Sequence, residues 1–293
     1  MVEGKSWRNR MFDGVNYVIL TLIAFLCLVP IIHVLAVSLS SRAPAMGGFV
    51  TFWPIGFTWE NYIKVVESVA FYRAFLVSVE RTLLGTLINL LIIVLTAYPF
   101  SRSPHEFKGR TFLLYVFMFA MLFNGGLIPT FLNVRNLGLI DTLWALVLPG
   151  AVQIWSIFLL MNFFRGIPKE IEESAIIDGA SHWQLLYHIY LPLSTPVLAT
   201  LCLFAAVGHW NAWFDGVIYM TKMDNVPLQT FLRTIVIQLD MTRMNLDPKD
   251  LVLVSNRSVR AAQIFVTMLP ILVVYPFLQR YFVTGIRLGA VKG

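Results

Sequence analysis

The chain has 293 residues, 58% of them hydrophobic and only 13% charged, with a mean hydropathy of +0.74. Soluble domains carry about 45–50% apolar and about 25% charged residues, so a cytosolic enzyme, a disordered tail and a disulfide-stapled secreted domain are excluded. The formal net charge of +6 sits in the flanks of apolar runs, not in a basic stripe interleaved with aromatics, and points to a membrane, not to nucleic acid.

Asp, Glu, Lys and Arg are absent from residues 14–41, 82–101, 111–134, 142–164, 179–214 and 261–279. About 20 helical residues cross a hydrocarbon core about 30 Å thick, and a charge at its centre costs at least about 2.5 kcal/mol. The pattern therefore predicts an all-α integral membrane protein with six transmembrane helices. The runs are continuous and do not alternate, so a β-barrel is excluded. Residues 43–59 are also free of charge, but Pro44, Gly47, Gly48, Pro54 and Gly56 mark them as loop. The first apolar stretch is too long for the core of a signal peptide. Cys27 and Cys202 lie in apolar stretches without metal or disulfide spacing and are expected to be buried small residues.

Lys5, Arg8 and Arg10 precede the first span, Arg102, Lys108 and Arg110 fill the turn between the second and third, and Arg280, Arg287 and Lys292 follow the sixth. With six spans these segments share one side, and the positive-inside rule places them and both termini in the cytoplasm. Outer segments are then expected at 42–73, 135–141 and 215–260, with an inner loop at 165–195. The long outer loop mixes Met220, Met223, Met241 and Met244 with Arg233, Arg243 and Arg257, and reads either as a solvated connector or as a probe of an extracytoplasmic partner.

The inner loop carries the mechanism. Pro168 suits the first turn of a helix whose positive end favours Glu170, Glu172 and Glu173. Gly179 breaks it, Ser181 caps a second helix with Trp183, Leu186, Tyr187 and Tyr190 at helical spacing, and Pro192 and Pro196 close the unit. The prediction is a bent pair of short helices on the inner surface. Its acidic groups would be repelled by anionic lipid and suit a basic protein partner.

Glu173-Ser174-Ala175, three residues, Gly179, nine residues, Ile189, one residue and Leu191-Pro192 resemble the EAA signature of ABC importer permeases, and Asp178-Gly179-Ala180 resembles its sugar-importing branch. Trp53-Pro54 with Thr58, Asn61 and Tyr62, then Trp210-Asn211 with Trp213-Phe214, and the ending from Gly285 to Gly293 extend the likeness to the maltose-type second permease, with Ser174 where the consensus has Ala. The resemblance implies a type I importer fold, with a first helix and outer loop over 1–77, a permease domain over 78–280 with coupling helices at about 168–192, and a cytoplasmic tail over 281–293. It implies ATPase coupling through Glu172, Glu173, Ser174, Ala175, Asp178, Gly179, Ala180, Leu185, Ile189, Leu191 and Pro192. In that family Glu173 would meet a basic group on the ATPase, and the Leu185–Ile189 face would pack in its cleft. It further implies a second permease subunit, two ATP-binding subunits, a solute-binding protein and an oligosaccharide substrate, with alginate or another acidic glycan fragment favoured, in a bacterial cytoplasmic membrane. ATP and Mg would sit on the partner ATPase. No cofactor, metal or catalytic group is expected in this chain, which would not itself be an enzyme. A permease for an amino acid, peptide or anion is the alternative.

Polar and aromatic groups inside spans are the candidates for a transport path: Asn89, Asn124, Gln153, Trp155, Asn162, Trp210, Asn211 and Trp213. Helix–helix hydrogen bonding and interfacial anchoring compete for the same residues. His33 and His209 read as structural, and Gly4-Lys5-Ser6 lacks the upstream glycine of a phosphate loop.

Overall fold

The computed structural model describes residues 7–237 and 257–290. Lys5, Lys292, the Met241, Arg243 and Met244 portion of the long loop, and the side chains of Arg8, Arg10, Arg280 and Arg287 lie outside the described residues. The described residues are mostly helical: α1 (Trp7–Ser38), α2 (Arg42–Met46), α3 (Glu60–Glu67), α4 (Val69–Ser101), α5 (Arg110–Leu122), α6 (Leu127–Asn136), α7 (Leu143–Val147) with a 3₁₀ turn at Leu148–Gly150, and α8 (Ile154–Arg165). There follow α9 (Lys169–Ile177), α10 (His182–Leu185) with a π-helical turn at Leu186–Tyr190, α11 (Leu191–Leu193), α12 (Thr195–Asn211), α13 (Phe214–Tyr219), α14 (Leu228–Ile237) and α15 (Arg257–Ala290). Among the described residues the extended pairing is a single bridge between Ser40 and Phe57.

Three spans are single long apolar helices, in α1, α4 and α15, and three are bent pairs. The pair α5 and α6 turns through 112°, α7 and α8 through 50°, and α10–α11 and α12 through 81°. The charge-free runs therefore marked the spans without revealing their bends. In the run 111–134 the break falls at Asn124-Gly125-Gly126. Gly126 has φ +92°, open chiefly to glycine, and the Asn124 side-chain oxygen accepts its amide at 2.9 Å. α4 also starts well before the charge-free run at 82 and takes in Arg73, Glu80 and Arg81. Arg81 is tolerated because it is ion-paired, which a search for missing charge overlooks.

The chain divides into two compact units, Met1–Val69 with Thr234–Leu269, and Ala70–Arg233 with Pro270–Gly293. In the first, the connection after α1 is stapled to the helix end. Asn61 donates to the carbonyls of Ser38 and Ser40, both at 2.9 Å, and the Tyr62 and Ser38 hydroxyls meet at 2.7 Å. Ala36, Val37, Ala45, Val50 and Ala261 form the small core there. Cys27, expected to be buried, is exposed on α1 because that helix presents its apolar side chains outward, as a lipid-facing span does. Cys202 is partly buried.

In the second unit Ile93, Ala97, Ile157, Leu160, Phe164, Leu185, Tyr190 and Leu201 share one core, drawn from α4, α8, the 182–193 helices and α12. The described parts of the expected outer loop, 215–237 and 257–260, are in large part helical. Leu228, Phe231, Leu232 and Ile235 fall at i, i+3, i+4 and i+7 and are the buried stripe of α14.

Candidate functional site

The segment after α8 forms the expected bent pair. α9 follows Pro168 and carries Glu170 and Glu172 in its first turn. It ends in a Schellman-type cap, in which the Ala180 amide reaches the Ala175 carbonyl and the Gly179 amide reaches that of Ile176, both at 2.9 Å. Gly179 takes φ +83°, which its missing Cβ permits. Ser181 then starts α10 with a reciprocal cap: its hydroxyl accepts the Gln184 amide, and the Gln184 side chain accepts the Ser181 amide at 2.8 Å.

One face of this hairpin is anchored. Glu172 forms an ion pair with Arg102, just past the end of α4, and accepts the Tyr190 hydroxyl at 2.6 Å. The Arg102 guanidinium lies between two rings, 4.4 Å from the centre of Tyr98 and 4.6 Å from that of Tyr190. The side chains of Arg102 and Glu172 are only 7% and 16% exposed, so the pair lies in a low-dielectric pocket. Removing one member of such a pair costs about 3–5 kcal/mol. Leu185, Leu186 and Tyr190 continue this face into the core.

The opposite face is open. Glu173, Ser174 and Asp178 are exposed, as are Ile177 at 84%, Trp183 and Tyr187. The last two stack with centroids 6.4 Å apart. A groove of about 270 Å³ between the arms is lined by Ala175, Asp178, Gly179, Ala180, Gln184, His188 and Ile189. The expected coupling residues thus divide. Ala175, Asp178, Gly179, Ala180 and Ile189 line the groove, with Glu173 and Ser174 nearby on the exposed surface of α9. Glu172 and Leu185 turn inward, and Leu191 and Pro192 lie where the second arm enters the bend to α12. No local pattern distinguishes Glu172 from its neighbours, because its partner Arg102 lies far away in the chain. The exposed Ile177 escaped notice as one more apolar residue in an apolar run.

The candidate path residues separate in the same way. Asn89 is fully buried; its amide donates to the carbonyls of Gly150 at 3.0 Å and Ala151 at 2.7 Å, and its oxygen meets His209 Nε2 at 2.6 Å. The two carbonyls fix the amide nitrogen of Asn89 on their side, so Oδ1, which can only accept, faces His209, and His209 Nε2 carries a proton. Asn89 therefore satisfies carbonyls freed by the bend between α7 and α8, which no solvent reaches inside a membrane. Gln153 accepts from Ser156 at 3.2 Å. Trp210 is buried edge-on to Phe75 and borders an apolar pocket of about 80 Å³, smaller than the roughly 300 Å³ of ordinary ligand pockets. Trp213 lies under the Arg233 guanidinium, 3.2 Å from its ring centre. Asn124 caps the 123–126 break. Trp155, Asn162 and Asn211 are exposed and form no shared cluster with the others.

Two further tethers escaped the sequence reading. Arg81 grips Asp215 through the two terminal guanidinium nitrogens and donates to the Ala212 carbonyl at 3.2 Å, holding α4 to the start of α13. Asp141, at φ +61°, accepts the Thr221 and Lys222 amides at 2.6 and 3.0 Å and the Thr221 hydroxyl. Burial opposes it, but these donors win and hold the Asp141 carboxyl below its ordinary range. Among the described residues no cluster of His, Cys, Asp or Glu could hold a metal ion.

No family model matches the chain. It is 38% identical over 291 residues to the polygalacturonan/rhamnogalacturonan transport system permease protein YtcP of Bacillus subtilis (strain 168), covering 98% of this chain and 100% of that protein. It is 39% identical over 285 residues to protein LplC of the same organism, covering 97% and 96%. Its structure matches a chain of a bacterial ABC transporter involved in the import of the acidic polysaccharide alginate, with TM-score 0.86, 32% identity and 96% and 100% coverage.

Proposed function

This chain belongs to the permease subunits of carbohydrate ABC importers, a transport subunit and not an enzyme, and from that premise we propose that its cargo is a uronate-containing oligosaccharide. Two relatives of different kinds support the cargo: one is described as a polygalacturonan/rhamnogalacturonan permease, the other comes from an alginate importer. Both polymers are acidic. The chain is a multi-pass membrane protein, and we place it in a bacterial cytoplasmic membrane with both termini inside, paired with a second permease. Two ATP-binding subunits below and an extracytoplasmic binding protein above complete the assembly, with ATP and Mg held by the former.

The observation that carries the coupling role is the division of the hairpin into an anchored face and an open one. The open face presents Glu173 and Asp178 as anionic groups, Ile177, Trp183 and Tyr187 as apolar ones, and the groove between them as a socket. That combination suits a protein cleft with basic residues. A hairpin gripped on this face and fixed on the other passes on whatever movement the nucleotide-driven subunits make, and alternating access follows.

The test is the reconstituted importer with its binding protein, assayed for ATP hydrolysis against oligogalacturonate, alginate oligomers and neutral maltooligosaccharides. Acidic oligomers should stimulate hydrolysis, while a response confined to the neutral series would overturn the cargo. Glu173→Lys should leave the subunit in the membrane and abolish uptake.

A further inference from the structure

The end of α4 is a junction. Arg110 Nε donates to the Phe100 carbonyl at 2.8 Å and Arg165 to the same carbonyl at 3.1 Å, so residues from α5 and α8 converge on the last turn of α4. Cations there also face the negative end of the helix. Arg102 is one step further on. It reaches away from the helix, between the rings of Tyr98 and Tyr190, to the Glu172 carboxylate. Tyr98 belongs to α4, and Glu172 and Tyr190 belong to the two arms of the hairpin, so Arg102 touches all three. Tyr190 closes the circuit by donating to the second oxygen of Glu172.

We propose that Arg102 is a positioning residue that locks both arms of the hairpin to the end of α4, so that hairpin, α4, α5 and α8 move as one body when the ATPase subunits close. The proposal rests on the docking role given above for the open face. The physical reason is that each alternative link is softer. The backbone path from α8 into α9 runs through Gly166-Ile167-Pro168, and the two arms join at Gly179 with φ +83°. Both are points where a push bends the chain instead of moving the span. A bidentate-capable guanidinium clamped between two aromatic faces has little freedom to slip, whereas lysine offers a point charge without the planar fit. Arg102 touches no solute and no nucleotide in this role; it acts through Glu172 and Tyr190.

The test uses the assembled complex with Cys27→Ser and Cys202→Ser, and with nitroxide labels at Leu87→Cys on α4 and Ile176→Cys on the hairpin, both exposed positions. With Arg102 in place the distance between them should stay single and unchanged from the nucleotide-free to the ATP-bound state. In Arg102→Met, which keeps the apolar stem, a second distance differing by about 2 Å or more should appear with ATP. Oligogalacturonate moved per ATP hydrolysed should fall about tenfold or more, and Arg102→Lys should fall between the two. A single, nucleotide-invariant distance in Arg102→Met would overturn the proposal. If that variant fails to assemble, Arg102→Lys, which keeps the charge and loses the planar fit between the rings, is judged by the same distance. Failure of the docking role is read separately, as a label at 177 whose mobility is unchanged when ATPase subunits are added.

Discussion

Glu172 and Glu173 are sequence neighbours on one helix, yet one points into a cage with Arg102 and Tyr190 and the other into the open. Their substitutions should therefore fail in different ways. Glu172→Ala leaves a buried guanidinium without its anion and should destabilise the detergent-solubilised subunit by about 3–5 kcal/mol, read as a fall in melting temperature. Glu173→Ala should change stability by less than about 0.5 kcal/mol while weakening retention of the ATPase. Asn89 offers a second contrast. Asn89→Leu keeps the volume but orphans two carbonyls and the His209 ring nitrogen, each costing about 1–3 kcal/mol, so a transport assay on it reports folding and not sugar contact. Gly85 belongs to the same cluster, because a Cβ there would collide with the His209 ring.

Among the elements, the bend between α9 and α10 is set by Gly179. Nothing lies within 4 Å of the position its Cβ would take, so Gly179→Ala meets no clash and pays only the left-handed backbone cost, about 1–2 kcal/mol. A straightened, uncoupled hairpin in a correctly inserted subunit is the expected result, measured as ATP hydrolysis that no longer responds to the loaded binding protein. The clasp from Asp141 to 221–222 carries a pH dependence. Its carboxyl is held below the ordinary 3.8, so the clasp contributes fully above that value and is lost as pH falls through the lower, folded one. Protection of the Thr221 amide, measured as its exchange rate relative to the intrinsic rate at each pH, should accordingly stay high at pH 5 and fall only below pH 3.8. Slow exchange that persists in Asp141→Asn would show that the carboxylate is not what protects it.

For the whole molecule, six spans describe a transport subunit without chemistry of its own. A cysteine reagent that cannot cross the membrane should label Ile177→Cys in inverted vesicles and not in intact cells; the reverse result would refute the assigned orientation. Span number was legible in the sequence because exclusion of charge from hydrocarbon is a local rule that each residue obeys alone. The hairpin was legible for a related reason, since Pro168, Gly179 and the Ser181–Gln184 cap act within a few residues of one another. The bends at Gly126 and before Ile154 were not, because an uninterrupted apolar run suits a straight helix as well as a broken one.

Composition and spacing alone determined that the chain is a helical membrane protein with an acidic two-armed hairpin after its fourth span. Only the tertiary structure decided which hairpin residues face outward and which polar groups inside the spans are already consumed. The reason is range. Caps, turns and hydrophobic exclusion are settled by neighbours in sequence, whereas the partners of Glu172, Asn89, Arg81 and Asp141 lie far away in the chain, brought close by packing that no local pattern encodes.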